Sequence, residues 1–378
     1  MMKTAIEVIK KLKSSGYEAY LVGGAVRDFL LGKDPKDFDV ATSAEPVQVK
    51  EIFDRTVDTG IQHGTVLVLI GGTGVEVTTF RTESDYTDNR RPDRVEFVNS
   101  LAEDLKRRDF TINAMAMTEE LELVDIFGGR QDLEEKLIRA VGEPEERFQE
   151  DALRMLRAVR FSGQLDFSID EQTLAAIKRN ASLIRSVAVE RIKIELDKIM
   201  ANQHAARSID YLLYSGLADQ LPSGDLFRID WQDFKPSGDP LSGWLYALWH
   251  SKKDASALAS YKLSNEEKTA VAKALEAAGL EHWNQWTYYS YTLRQLELAA
   301  GLMQKQQNPA VQKSRLPVQS KSDLAVNGRD LMEWSGQKAG PWLKDALGDI
   351  ERRVVCGELE NEKDKIKEWF FDEYNRDK

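Results

Sequence analysis

Two aspartates two residues apart, Asp37 and Asp39, follow Gly23, Gly24 and Arg27 in the stretch LVGGAVRDFLLGKDPKDFDVAT, residues 21 to 42. On an extended chain alternate side chains share a face, so both carboxylates point one way while Phe38 and Val40 turn to the opposite, buried face. Like charges held that close repel unless a cation neutralises them, and hard oxygen donors without His or Cys beside them suit Mg²⁺ better than zinc. A cation held in this way also grips substrate phosphates. Glycines just before a helix start let backbone N–H groups approach an anion, with Arg27 in the first turn to pair with it. Alone, an Asp-x-Asp reads more readily as a solvated strand edge and a Gly-Gly as a tight turn. Together they favour chemistry on a nucleoside triphosphate.

A second constellation lies in EDALRMLRAVRF, residues 150 to 161. Asp151, Arg154, Arg157 and Arg160 step by three residues, which on one helix keeps neighbouring members together while Leu153, Leu156 and Val159 face a core. Spacing alone describes an amphipathic helix with an exposed basic edge. Other cations cluster upstream as Arg81, Arg90, Arg91, Arg94, Lys106, Arg107 and Arg108, with Arg147 nearer the helix. The chain has a net charge of −11, so contact with nucleic acid must come from such local patches and not from an overall basic coat.

The elements that must carry these residues fall into two regimes. Over the first ~140 residues strand and helix signals alternate. YEAYLVGG reads as a strand ending in a Gly turn, AVRDFLLG as a short helix closed by Gly32, KDFDVAT as a second strand, and GTVLVLIGGTGVEVTTFR as a hairpin. This predicts a small α+β unit on a mixed or antiparallel sheet. From about residue 141 strand signals give way to helical spacing with acidic first turns. All eight Trp lie at or beyond Trp231, a composition shift that marks a separately built region. LPSGDLFRIDWQDFKPSGDPLSG reads as a linker, and QKQQNPAVQKSRLPVQSKSD as an exposed connection.

The stretch around Asp37 and Asp39 resembles the signature of the bacterial tRNA nucleotidyltransferase and poly(A) polymerase family, the class II branch of the DNA polymerase β-like nucleotidyltransferases. RRDFTINAMA (107–116), DIFGGRQDL (125–133), EDALRMLRAVRF (150–161) and RIKIEL (191–196) match further motifs in the same order. The resemblance implies a mixed-sheet nucleotidyltransferase head over 1–140, then an all-helical neck over 141–205, body over 206–320 and tail over 321–378. It implies that Asp37 and Asp39 are the catalytic, metal-binding carboxylates, and Glu76 in GVEVTTF is the candidate for a third carboxylate on a neighbouring strand. It further implies nucleotide contacts at Gly24, Arg27, Arg108, Arg157 and Arg160, with Asp151 and Arg154 as a protein template for the base.

That template has a physical logic. Cytosine and adenine both set an exocyclic amine donor beside a ring-nitrogen acceptor, which a carboxylate and a guanidinium match together. Guanine and uracil present a carbonyl beside an N–H and would leave both protein groups unpaired, the strong form of rejection. The implied activity is addition and repair of the 3′-terminal CCA of tRNA from CTP and ATP, with release of pyrophosphate. Addition of the terminal A alone, poly(A) synthesis, or an inactive RNA-binding relative are the alternatives. Retention of TESDYTDNRRPDRVEFVNSLAEDL, a polar loop of the kind CC-only members lack, favours complete addition, and the acidic ending argues against poly(A) synthesis.

The remaining expectations are brief. No apolar run approaches the ~18 residues a membrane span needs, which reads as a cytoplasmic protein without a membrane partner. Cys356 is the single cysteine, so no internal disulfide forms. The histidines at 63, 204, 250 and 282 are too scattered for a metal site. Body and tail are expected to hold the acceptor and T-arm of tRNA, with Trp334 and Trp342 as packing residues. Nothing in the pattern distinguishes monomer from homodimer.

Overall fold

The structure, a computed structural model, describes residues 2–35, 37–60, 64–84, 94–305 and 307–374; His63, Arg90, Arg91 and segment 85–93 of the polar loop lie outside the described residues. The chain forms two compact units, Met1–Phe234 and Lys235–Lys378, with the division inside the Pro- and Gly-rich stretch expected to be a linker.

The first unit is built on strands β1 (Ala19–Val22), β2 (Asp39–Thr42), β3 (Thr56–Gly60), β4 (Thr65–Ile70), β5 (Thr73–Thr79), β6 (Arg81–Ser84), β7 (Arg94–Phe97), β8 (Met115–Met117), β9 (Leu123–Asp125), β10 (Leu137–Ile138) and β11 (Ser168–Ile169). Its helices are α1 (Met2–Ser14), α2 (Gly24–Leu30), α3 (Pro46–Ile52), α4 (Leu101–Lys106), α5 (Gly129–Glu134), α6 (Pro144–Glu150), α7 (Leu153–Leu165), α8 (Glu171–Asn180), α9 (Val189–Met200) and α10 (Ala205–Tyr214). Seven strands form one sheet in the order β3-β4-β5-β2-β1-β8-β9. Only the β2–β5 pair is parallel, so the sheet is mixed, as the sequence predicts. The β4–β5 hairpin turns at Gly71 and Gly72, whose φ values of 56° and 81° suit the tight connection that twisted strands require.

Period-two alternation sorts the sheet faces. Val40, Val66, Val68, Val75 and Val77 are buried, and α1 and α3 pack against these strands. Asp39, Glu76, Thr65 and Thr78 alternate onto the opposite face. Beyond residue 141 the unit is helical except for β11, whose two residues pair in parallel with β10.

The second unit is entirely helical among its described residues: α11 (Leu241–Ser251), α12 (Asn265–Ala278), α13 (Gln285–Ser290), α14 (Leu293–Leu302), α15 (Pro309–Ser314), α16 (Gly328–Ser335), α17 (Pro341–Val355) and α18 (Lys363–Trp369). Trp334 and Trp342 pack against a core that contains Leu331, Ile350, Val354 and Phe370, consistent with the packing role expected of them. The expected exposed connection is more structured than its polarity suggested. It contains α15, and Leu316 and Val318 insert into the same core. No described helix is long and apolar enough to cross a membrane.

Candidate active site

Strand register brings the two short signals of residues 21 to 42 together. β1 and β2 run antiparallel with Val22 opposite Asp39, so the glycines that end β1 meet the aspartate that begins β2. Gly23 has φ 74° and ψ −138°. The positive φ is what favours glycine here; a Cβ would lie 2.9 Å from Arg108 Nη1, the mobile tip of a long side chain, and 3.9 Å from Asp39 Oδ2, an ordinary contact. The parallel β2–β5 pairing sets Glu76 beside Asp39, where the sequence reading placed a third carboxylate.

Asp37 precedes β2 instead of lying within it. The alternation nevertheless extends back to it, since Asp37 and Asp39 are exposed while Phe38 and Val40 are buried. Asp39 keeps solvent access, yet its carboxyl is pushed above the ordinary range. Burial is the largest cause, Glu76 raises it further, Arg108 pulls it down and Asp37 raises it again. Such crowding is what a hard cation relieves, so these oxygen donors fit a divalent metal. Among the described residues no group of three or more His, Cys, Asp or Glu is placed to hold a metal ion, so the protein alone does not complete a metal shell here. The arrangement is an open one, which substrate phosphates can complete.

Asp39 stands at the mouth of a cavity of about 490 Å³ that is also lined by Gly23, Gly24, Arg27, Arg108, Asp151, Arg154, Arg157 and Arg160. Every nucleotide-binding position expected from the sequence therefore opens onto one space; Asp37 and Glu76 do not line it. The volume lies within the range of small-molecule sites.

The expected single helix over 150–161 is two. α6 ends at Glu150, Asp151 adopts φ −142° and ψ 102°, and α7 begins at Leu153. Only Arg154, Arg157 and Arg160 share a helix, and the three-residue step does not extend to Asp151. The break has a local cause: Asp151 Oδ1 accepts from the backbone N–H of Leu153 at 3.1 Å, the kind of side-chain contact with which aspartate displaces helical structure. Its Oδ2 accepts from Arg191 Nη2 at 2.8 Å. The break turns Asp151 towards the cavity and leaves it acceptor capacity, because a carboxylate has about four lone-pair sites.

Arg154 is buried and clamped. Nη1 donates to Glu150 Oε2 at 2.6 Å and to the Arg147 carbonyl at 3.3 Å, and Nη2 donates to the Arg107 carbonyl at 2.8 Å. Arg157 donates to Asp109 Oδ2 through Nε at 2.8 Å and Nη2 at 2.6 Å. Arg160 donates to Glu195 Oε2 at 2.5 Å and pairs with Gln164. Arg27 donates to Asn113 Oδ1 at 2.7 Å, and Asn113 Nδ2 in turn donates to Asp109 Oδ1 at 3.0 Å. Arg27, Arg157 and Arg160 surround the Phe161 ring at 5.3, 5.4 and 4.0 Å from its centroid. The negative ring face and the carboxylates offset repulsion between these guanidiniums.

Asp109, Asn113, Phe161, Arg191 and Glu195 escaped the sequence reading as site residues, although each lies in a stretch it singled out. Asp109, Glu195 and Arg191 meet partners 35 to 48 residues away, and Asn113 meets Arg27 86 residues away, which spacing does not reveal.

Asp109 supplies a stability test. Burial alone would raise its carboxyl, but the Arg157 charge and the Asn113 and Arg157 hydrogen bonds prevail and hold it at about 2, against an ordinary 3.8. A depressed carboxyl stabilises the fold above its unfolded pKa and loses that effect as pH falls toward the folded one. The shift corresponds to about 2 kcal/mol at neutral pH. Asp109→Asn is expected to lower the urea unfolding free energy by at least that amount at pH 7. The gap to wild type should narrow by about half at pH 3. A gap independent of pH would show that the ion pair is not its source.

Comparison with known proteins agrees with this geometry. Residues 19–139 match the model described as the poly A polymerase head domain, residues 166–226 a probable RNA and SrmB-binding site of polymerase A, and residues 241–370 a putative tRNA nucleotidyltransferase domain 2. A CCA-adding enzyme of Levilactobacillus brevis is 46% identical over 376 residues, covering 94% of each chain. One from Geobacillus sp. is 42% identical over 388 residues, covering 97% of this chain and 96% of its own. The crystal structure of the Bacillus stearothermophilus CCA-adding enzyme in complex with CTP superposes with a TM-score of 0.88 at 38% identity, covering 99% of this chain and 98% of the other.

Proposed function

The chain belongs to the family of CCA-adding enzymes, and from that premise we propose that the cavity at Asp39 is where it builds and repairs the 3′-terminal CCA of tRNA from CTP and then ATP. The RNA 3′-hydroxyl oxygen bonds to the α-phosphorus, the bond from that phosphorus to the β-phosphate breaks, and pyrophosphate leaves with its electron pair. The hydroxyl proton passes to solvent. Placing the two reactants in line supplies much of the rate.

The observation that carries this reading is that Asp151 and Arg154 line the same cavity as Asp39, Gly23 and Gly24. Asp151 accepts from the amine of cytosine or adenine and Arg154 donates to the ring nitrogen beside it. The clamp on Arg154 fixes its donors, so a base that opposes donor to donor is rejected rather than accommodated. Arg27, Arg108, Arg157 and Arg160 contact the phosphates and sugar. Asp37 and Asp39, with Glu76 adjacent, would hold Mg²⁺, which when bound supplies positive charge for the triphosphate and the attacking oxygen.

The working division is a head over 1–140, a neck over 141–205, a body over 206–320 and a tail over 321–378, with body and tail gripping the acceptor and T-arm. A tRNA substrate supports a cytoplasmic location. The test is incorporation of labelled CTP and ATP, separately and together, into tRNA transcripts ending at the discriminator base, at C, or at CC. Two C's and one A followed by arrest is the expected result. ATP accepted only on the CC-ended transcript would make the protein an A-adding specialist, and long A tails would make it a poly(A) polymerase.

A further inference from the structure

Asp39 borders two spaces. Besides the nucleotide cavity, it opens onto a second one of about 190 Å³, whose floor is the sheet face carrying Glu76, Thr65 and Thr78 and whose other walls include Arg81 and Arg107. Gly23, Gly24 and Arg27 line only the first space and Glu76, Thr65 and Thr78 only the second, while Asp39, Arg107 and Arg108 border both. An in-line displacement likewise needs two places. The leaving pyrophosphate departs on one side of the α-phosphorus and the acceptor oxygen arrives on the other.

The floor of the second space carries a hydroxyl pair. Thr65 and Thr78 face each other across β4 and β5 with their Oγ1 atoms 3.0 Å apart. Two hydroxyls sharing one hydrogen bond retain a second O–H proton and several lone pairs, and both side chains keep solvent access. Thr78 lies two residues beyond Glu76 on the same strand face, and both line this space together with Asp39 and Thr65. A residue seated with its 3′-hydroxyl at Asp39 has only its 2′-hydroxyl left on that ribose edge.

We infer that this second space binds the terminal ribose of the acceptor RNA, and that the Thr65–Thr78 pair hydrogen-bonds its 2′-hydroxyl and thereby selects RNA over DNA ends. The inference rests on the CCA-adding reading above. Arg81 and Arg107 supply the positive wall that a sugar–phosphate chain entering there requires.

The test uses the full chain, CTP, and RNA hairpins ending in C whose last sugar is ribose or 2′-deoxyribose. Thr65→Val and Thr78→Val, separately and together, remove hydroxyls while keeping side-chain shape and strand propensity, so the hairpin is retained. A hydrogen bond to a hydroxyl is worth up to about tenfold. The double variant is expected to raise KM for the ribose-ended hairpin by about that factor, leave KM for CTP unchanged, and bring ribose- and deoxyribose-ended hairpins to similar KM. A rise confined to KM for CTP, or an undiminished preference for ribose, overturns the assignment. Wild-type protein unable to extend either hairpin would instead overturn the CCA-adding reading on which it rests. Should the double variant unfold at lower temperature, the single variants give the same comparison.

Discussion

In single-turnover assays with CTP and a tRNA lacking its terminal nucleotides, Asp39→Asn is expected to slow incorporation on the order of a thousandfold, the scale on which enzymes lose rate when one group matched to transition-state charge is removed. Binding of tRNA survives, because Asp39 touches only the reacting end. The same substitution has a second consequence that separates catalytic from structural roles. Burial, Glu76 and Asp37 together raise the Asp39 carboxyl above its ordinary value. An acid whose folded pKa is raised destabilises the fold wherever it is ionised, so at neutral pH in the absence of divalent cations the neutral asparagine should unfold at a higher temperature than wild type. A slow but more stable variant identifies Asp39 as a charge held in place for function. Incorporation at the wild-type rate would remove Asp39 from the mechanism. A lowered unfolding temperature would show that the acidic cluster is relieved by other means.

The sequence made some of this site legible because its signals are local. The glycine pair, the Asp-x-Asp and the hairpin each depend on neighbours within a few residues, whereas the register that joins Val22 to Asp39 across α2 is visible only in the structure. Asp151 was located and its setting was not. Helical spacing runs through Glu150, Asp151 and Leu153, and nothing in that periodicity announces that a carboxylate–backbone contact with Leu153 ends one helix and opens the next. The arginines were visible as charge, but spacing could not show which carboxylate each would meet. Arg157 finds Asp109 48 positions earlier and Arg160 finds Glu195 35 positions later. Leu316 and Val318 show the converse error, since a polar stretch conceals apolar residues that a distant core absorbs.

Arg154→Ala should change base choice more than rate. In the wild-type protein each wrong base leaves a buried donor and acceptor unpaired, and sites built this way discriminate by up to about 10⁴- to 10⁵-fold. Removing the guanidinium deletes the half of the template that reads the ring nitrogen, so the preference for CTP and ATP over UTP and GTP is expected to fall on the order of a hundredfold in kcat/KM. Arg154 is also a structural tie, joining Glu150 to the carbonyls of Arg147 and Arg107, and its loss will lower activity with every nucleotide. That general loss divides out of the ratio between nucleotides, whereas a lost reading of the base does not. Arg154→Lys provides the complementary comparison: it keeps the charge but not the rigid fork, and should recover general activity without recovering full selectivity. If all four nucleotides decline together and the ratio stays at its wild-type value, Arg154 supports the cavity wall and the base is read elsewhere.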